Sequence, residues 1–301
     1  MIKRIINKIK CNPYYIVYWI FKYTGLSTIS DYVFLKTHWR LHMGHSLNLK
    51  NPKSLSEKLQ WIKLYDRKPI YTTMVDKFEV KEFVANKIGE EYIIPTIAIY
   101  DSIEDVDIEK LPNRFVIKCT HDSGSVVICK DKSTFDWEKH KSSLKEALSV
   151  NYYTHTREWP YKNVKPRILV EEYLTELADE DIKDYKFFCF NGNAKFLKVD
   201  YDRFIDHKVN YYDLDWKYLE YAEYETKTDA NHIEKMPNNF NQMIEFANIL
   251  SKDTKFLRVD FYNLNGKIYF GELTFFPRNG FGCLSPYSID ESIGEFLNLE
   301  K

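Results

Sequence analysis

The chain has 301 residues, 44% hydrophobic and 29% charged, a balance that supports a packed core and excludes a disordered chain. That length fits one large domain or two smaller ones. A net charge of −1 leaves no basic footprint, so a nucleic-acid partner is not expected.

The start is basic and leads into an apolar-aromatic run at 14–21, bounded by Pro13 and Lys22. The run is too short to span a bilayer, and no small-residue cleavage site follows it. It reads as a helix packed on the domain or, as the lesser alternative, an interfacial helix. Tyr18, Trp19 and Phe21 would then make a weak peripheral contact with a membrane. Residues up to about 50 read as helical. After Asn51-Pro52, Ser54 or Ser56 caps a helix carrying Glu57, Leu59, Trp61, Ile62 and Tyr65. A further helix is expected from about 72 to Gly89, then a strand over 92–100. Two strands at 115–119 and 126–129 enclose a small-residue loop, and a helix follows over 133–150. Residues 151–166 show no period. A strand at 168–174, an acidic loop at 175–181 and a hairpin about Asn191-Gly192-Asn193 come next. Residues 201–238 read as irregular and 239–250 as helix. Helices first, then mixed elements and antiparallel strands, define an α+β chain.

Five widely spaced cysteines, Cys11, Cys119, Cys129, Cys189 and Cys283, form no CxxC or Cys/His metal spacing. Odd in number and partly set in apolar runs, they favour a reducing cytoplasm over a disulfide framework.

The most informative stretch is 256–275. Two alternating runs, 256–262 and 267–275, flank Asn265-Gly266, a hairpin turn signal. Period two puts Arg258 and Asp260 on one face and Val259 and Phe261 on the other. On the return run Glu272 and Thr274 share a face. A loop with an odd number of residues, such as three with a glycine bulge, sets Asp260 opposite Glu272. Facing carboxylates repel unless a proton or cation lies between them, so removing either one is expected to relieve repulsion. Hard oxygens of this kind suit Mg²⁺, and Arg258 adds a fixed positive charge. The plain alternative is a hairpin with a solvated polar face.

Three weaker signals precede it. Lys118 stands in a strand before His121-Asp122-Ser123-Gly124-Ser125, a loop able to wrap phosphate oxygens or simply a hairpin turn. Neither GxxxxGK[ST] nor GxGxxG occurs. An apolar strand ends in Glu171, Glu172, Tyr173 and Leu174, and Asp184 alternates with Lys186 in the next strand. The loop holding His155, Arg157, Glu158, Trp159 and Tyr161 is rich in groups that bind sugars and carboxylates. Arg278 follows the last strand and suits a bidentate carboxylate contact. Each of these also reads as ordinary surface.

In this order the motifs resemble the ATP-grasp superfamily. The phrases LSEKLQWIKLYDR, VDKFEVKEFV, LPNRFVIKCTHDSGSV, REWPYKNVKPRILVEEYL and IYFGELTFFPRNGFG resemble, more narrowly, its TupA-like teichuronopeptide branch, from about 50 to 285. The resemblance implies an ATP-grasp fold, two α+β subdomains clasping ATP, behind an N-terminal helical extension at 1–70. A helix-strand linker at 71–112, a lid subdomain at 113–175 and a metal-bearing subdomain at 176–301 complete the expected division. It further implies ATP and Mg²⁺ as cofactors. Lys77, Lys118, His121, Ser123, Gly124 and Ser125 would hold phosphates, and Glu171, Glu172, Tyr173, Leu174 and Asp184 adenine and ribose. Asp260, Glu272 and Thr274 would hold the metal, and Arg258 and Lys186 would steady the transferring phosphoryl. Thr274 departs from the asparagine common in that position. Arg157, Glu158, Trp159 and Arg278 remain for the substrate. The implied chemistry joins a carboxylate on a cell-surface polysaccharide precursor, such as a uronic acid, to an amine. The alternative is a glycosyltransferase using a nucleotide sugar, for which Asp200-Tyr201-Asp202 is the one spelling in favour.

Overall fold

The computed structural model describes residues 29–174, 182–201, 206–223, 226–281 and 284–300. The apolar-aromatic run at 14–21, Cys11, Cys283, the acidic loop at 175–181 and Asp202 lie outside the described residues. Helix α1 (Asp31–Met43) is capped by the Ser30 side chain and ends at Gly44 in the left-handed region. Helix α2 (Leu55–Tyr65) takes Ser54 as its cap, the hydroxyl accepting from Glu57 N at 3.2 Å. The single helix expected from about 72 is two, α3 (Ile70–Val75) and α4 (Glu79–Ile88). Asp76 breaks them: its backbone turns extended, and its carboxylate accepts from the N–H groups of Phe78 and Glu79 at 2.9 and 3.3 Å. That capping leaves Lys77 on a corner instead of a helix face.

Four antiparallel strands form the first sheet, in the order β1 (Thr96–Tyr100), β4 (Ile168–Glu172), β2 (Phe115–Cys119), β3 (Val126–Cys129). The strand expected over 92–100 is shorter because Glu90–Tyr92 makes a 3₁₀ turn and Pro95 follows. β1 pairs along β4, so this sheet takes in part of the stretch expected as a 71–112 linker. Phe115, Ile117, Cys119, Ile168 and Val170 pack with Leu144 of α5 (Trp137–Leu148) in one core. Alternation turns Lys118, Leu169 and Glu171 to the other face.

The second sheet has six strands in the order β11 (Lys267–Thr274), β10 (Phe256–Leu264), β5 (Asp184–Phe190), β6 (Asn193–Tyr201), β7 (Lys208–Asp213), β8 (Tyr218–Leu219). Its apolar face, including Phe187, Cys189, Leu257, Val259 and Phe261, joins helix α7 (Phe240–Ser251) in the larger core. β9 (Ala222–Glu223) pairs with β12 (Leu284–Ser285). Residues 151–166, without sequence period, hold a one-turn helix α6 (Tyr153–Thr156) and a 3₁₀ turn, Trp159–Asn163. One element had no sequence signal: α8 (Tyr287–Gly294) docks on α2, Asp290 accepting from Ser56 N and Oγ at 3.1 and 3.2 Å. Among the described residues no helix is long and apolar enough to cross a membrane. Cys119, Cys129 and Cys189 are buried and free.

Candidate active site

Asp260 does stand directly opposite Glu272, but the turn is not the cause. The hairpin loop has two residues, Asn265 and Gly266, both with positive φ, an even count that by itself pairs Asp260 with Gly271. A bulge between Asp260 and Phe261 leaves Gly271 unpaired and advances Glu272 by one. Glycine fits here without strain, whereas a Cβ at 271 would lie 3.0 Å from the Asp260 carbonyl oxygen. One line across the sheet therefore reads Glu272, Asp260, Lys186, Lys198, each paired with the next. Asp184 and Asp200 pair two residues along, on the same face.

The cation between the two carboxylates is a side chain of the same hairpin. Arg258 donates from Nε and Nη2 to Asp260 at 2.7 and 2.6 Å, and from Nη2 to Glu272 at 2.7 Å and Thr274 Oγ1 at 3.0 Å. Asp260 is 1% exposed, while the Glu272 side chain keeps 48% of its surface open. Burial first, then the charge of Glu272, raises the Asp260 carboxyl against the pull of Arg258 and Lys186. For Glu272, enclosure is outweighed by Arg258, Lys186 and Lys77, which bring its carboxyl below the usual range. The pair thus holds one negative charge firmly and a second loosely. Lys186 reaches Asp184 at 2.5 Å and Asp200 at 2.9 Å, and His207 Nε2 lies 2.7 Å from Asp200. Burial opposes the Lys186 charge, but Asp184, Asp260 and Asp200 outweigh it and keep the ammonium protonated.

The phosphate-loop candidate joins β2 and β3 of the first sheet. Lys118 pairs with Glu171, whose other oxygen takes Lys81 at 2.6 Å. Glu171 thus pairs with one lysine of its own sheet and one of helix α4. Glu172 is exposed at the strand end, with Tyr173 and Leu174 half-buried beside it. Lys77 Nζ holds the Cys119 carbonyl at 3.0 Å and also the Asp122 carbonyl, so it braces the loop from below. Burial lowers its pKa most, with Lys118 adding to that fall, while Asp122 and Glu272 work to restore the charge. Lys77, which braces the loop of one sheet, is thus within electrostatic range of the Glu272 carboxylate of the other. Ser125 bridges Cys119 N and Asp122 Oδ1 at 3.1 and 2.6 Å, and His121 Nε2 meets the Val150 carbonyl at 3.2 Å. Gly124 has φ +106, a conformation that favours glycine, with open space where a Cβ would stand.

The substrate candidates divide. Arg157 is 2% exposed, its guanidinium over the rings of Phe34 and Tyr153 at 4.7 and 5.2 Å, near Asp31. It anchors α6 to α1. Glu158 is buried beside it, Trp159 is half-buried, and Arg278 is exposed with φ 50. Sequence reasoning passed over Lys81, four residues from Lys77, and Lys63, which stands four residues after core-facing Leu59. A lysine on an apolar helical stripe was the available signal. Lys63 is fully buried, donating to the carbonyls of Thr156 and Asn279 at 3.0 and 2.9 Å.

Among the described residues no group of three or more His, Cys, Asp or Glu side chains is placed to hold a metal. The donor set offered is two carboxylates and a hydroxyl, Asp260, Glu272 and Thr274, with Arg258 now between them. Hard oxygens in that number fit Mg²⁺ whose remaining positions are filled by phosphate oxygens.

A family model described as TupA-like ATPgrasp matches residues 57–298. Solved structures similar to this chain include the D-alanine–D-alanine ligase of Bacillus anthracis complexed with ATP. It is 15% identical with a TM-score of 0.39, over 68% of this chain and 54% of that one. The D-alanine–D-alanine ligase of Helicobacter pylori is 12% identical with a TM-score of 0.41, over 82% and 70%. The ATP-grasp ligase PsnB, complexed with minimal precursor, Mg and ADP, is 10% identical with a TM-score of 0.37, over 73% and 58%. The chain thus spans about half the length of the Bacillus anthracis ligase. No curated protein matches it in sequence. By the family match, the two antiparallel sheets with their helices form an ATP-grasp fold. Within that class the chain belongs to the TupA-like ATPgrasp family.

Proposed function

We propose that the protein is a Mg-ATP-dependent ligase that joins a carboxylate to an amine through an acyl phosphate. The carrying observation is Glu272: it faces Asp260 across the hairpin and acts electrostatically on Lys77, which braces the loop after Lys118. Carboxylates for a metal and amines for phosphates therefore meet at one place. The carboxylate substrate attacks the terminal phosphorus of ATP, ADP leaves with the bond electrons, and the amine then displaces phosphate from the acyl carbon. Bringing two anions together is the main barrier, and fixed cations reduce it. Lys118 and Lys77 would hold the phosphates, with Arg258 and Lys186 stabilising charge on the transferring group. Bound Mg²⁺, held by Asp260, Glu272 and Thr274, would neutralise phosphate charge. The loop at Ser123-Gly124-Ser125 would exclude water from the acyl phosphate.

The substrate class that fits the family is a polysaccharide precursor bearing a uronic acid, acted on in the cytoplasm. ADP release measured across hexuronic acids and primary amines tests this. Release that depends on both supports the ligase, and release with neither overturns it. A glycosyltransferase finds no support in Asp200, whose carboxylate is committed to Lys186 and His207. Thermal stabilisation by UDP-sugars in preference to Mg-ATP would reverse that choice.

A further inference from the structure

Beside the phosphate loop, a buried carboxyl points at no partner. Glu158 is 3% exposed, and its Oε1, out of contact with solvent, has no hydrogen-bond partner. It occupies the cap position of the 3₁₀ turn Trp159–Asn163 yet makes no capping bond. The chain is bent to place it there. Arg157 adopts the left-handed region, φ 55, a conformation a non-glycine residue holds only when its surroundings enforce it. The caged guanidinium and the Arg157 N–H, which meets the Tyr153 carbonyl at 2.8 Å, provide that enforcement. An unsatisfied buried carboxyl costs about 1–3 kcal/mol, so its retention needs a ligand or a chemical role.

Its surroundings say which. Three titratable side chains act on Glu158 or feel it: Lys63, Tyr152 and Tyr161. The Lys63 ammonium is directed at the Thr156 and Asn279 carbonyls. The two tyrosine rings pack edge to face at 4.9 Å, and their segment is tied to the phosphate loop at both ends, His121 Nε2 meeting the Val150 carbonyl at 3.2 Å and Thr120 Oγ1 donating to the Lys165 carbonyl at 3.0 Å. Both tyrosines also feel Asp122 and Glu272. The segment bearing Glu158 therefore lies between the phosphate loop and, through Lys63 and Asn279, the turn that follows the strand of Glu272.

We propose that Glu158 is the acceptor-site base of this enzyme: it receives the ammonium of the incoming amine and takes its proton. This rests on the ligase reading above. In the step, a proton passes from R–NH₃⁺ to the Glu158 carboxylate. The freed nitrogen pair forms a bond to the acyl carbon, and the carbon–oxygen bond to phosphate breaks, phosphate leaving with its electrons. A second N–H proton is lost from the amide nitrogen to water. Burial pushes the Glu158 carboxyl up to about 7 despite Lys63, a value suited to exchange protons near neutral pH. The acceptor is then a primary amine small enough to pass Tyr152 and Tyr161.

The test separates two nucleophiles. Hydroxylamine is uncharged at neutral pH and attacks an acyl phosphate without giving up a proton first, forming a hydroxamate. Wild type and Glu158→Gln are assayed with Mg-ATP, a panel of hexuronic acids, and either hydroxylamine or ethanolamine. The expected result is an about 100-fold loss of amide formation in E158Q with hydroxamate formation within about threefold of wild type. Glu158→Asp should restore part of the amide rate, and the wild-type amide rate should rise with pH through about 7 while the hydroxamate rate stays level. Equal losses with both nucleophiles make Glu158 a structural residue and overturn the assignment alone. No hydroxamate from wild type with any acid of the panel overturns the ligase reading and the assignment together.

Discussion

On the four-stranded sheet Lys118 and Lys81 converge on one carboxylate, Glu171, which leaves one positive charge over. On the six-stranded sheet four acids, Asp184, Asp200, Asp260 and Glu272, stand against three bases, Lys186, Lys198 and Arg258, which leaves one negative charge over when all are ionised. Both sheets set their charged side chains on the face opposite one core, and on the six-stranded sheet Phe188, Phe196 and Phe256 are buried on that face as well. The difference lies in which sign remains. A surplus of ammonium suits phosphate oxygens, and a surplus of carboxylate suits a divalent cation, so the two faces are matched to the two halves of a metal–nucleotide complex.

The comparison breaks most clearly at its acidic side. Asp260→Asn and Glu272→Gln are each expected to lower ADP release about 1,000-fold, as removal of a charge-stabilising group does. The anticipated gain in stability from relieved repulsion does not follow from the structure, because Arg258 already neutralises the pair. Asp260→Asn strips a buried guanidinium of a charged acceptor and should cost about 1–3 kcal/mol in urea unfolding. Arg258→Met removes the shared cation and is expected to destabilise by about 3–5 kcal/mol at pH 8, with a smaller loss under acid, where the pair can take a proton. Loss of activity without loss of stability in R258M would show that the guanidinium is not the clamp described.

On the basic side the effect is milder. Lys118→Ala should raise the apparent KM for ATP about tenfold and leave that for the carboxylate unchanged, since one lost charged hydrogen bond is worth about 1.5–3 kcal/mol. The fold should survive, because Glu171 keeps Lys81. A pH series sharpens the contrast. A carboxyl raised in the folded state, as Asp260 is, adds stability at low pH, and that stability is lost as pH rises through its folded titration. The free protein should therefore weaken as pH rises from about 4 to about 7 while Mg-ATP affinity rises, with proton release visible by calorimetry in buffers of different ionisation heat. The smallest change is Gly271→Ala: a methyl 3.0 Å from the Asp260 carbonyl should cost about 1 kcal/mol and weaken Mg²⁺ response before ATP binding.

Much of the site was legible because it lies on strands, where period two assigns a face to every residue. Arg258, Asp260, Glu272, Thr274, Asp184 and Lys186 all fall on the charged face that alternation predicts. The facing of Asp260 and Glu272 was anticipated through a three-residue loop, whereas Gly271 produces it, since a bulge leaves no mark in polarity. The lysine partners of Glu171 were not legible: Lys81 comes from a helix some ninety residues earlier. The cage of Arg157 was hidden for the same reason, being supplied by Phe34 and Asp31.

Local chemistry settled which residues are charged, which face each strand turns inward and where the turns fall, because hydrophobic alternation and turn propensity act over a few residues. Tertiary structure alone decided which charge meets which. Pairings such as Lys77 with the Asp122 loop, Arg258 across the bulged hairpin and Lys63 beneath Asn279 depend on sheet register and helix docking, and those are fixed by packing between parts of the chain far apart in order.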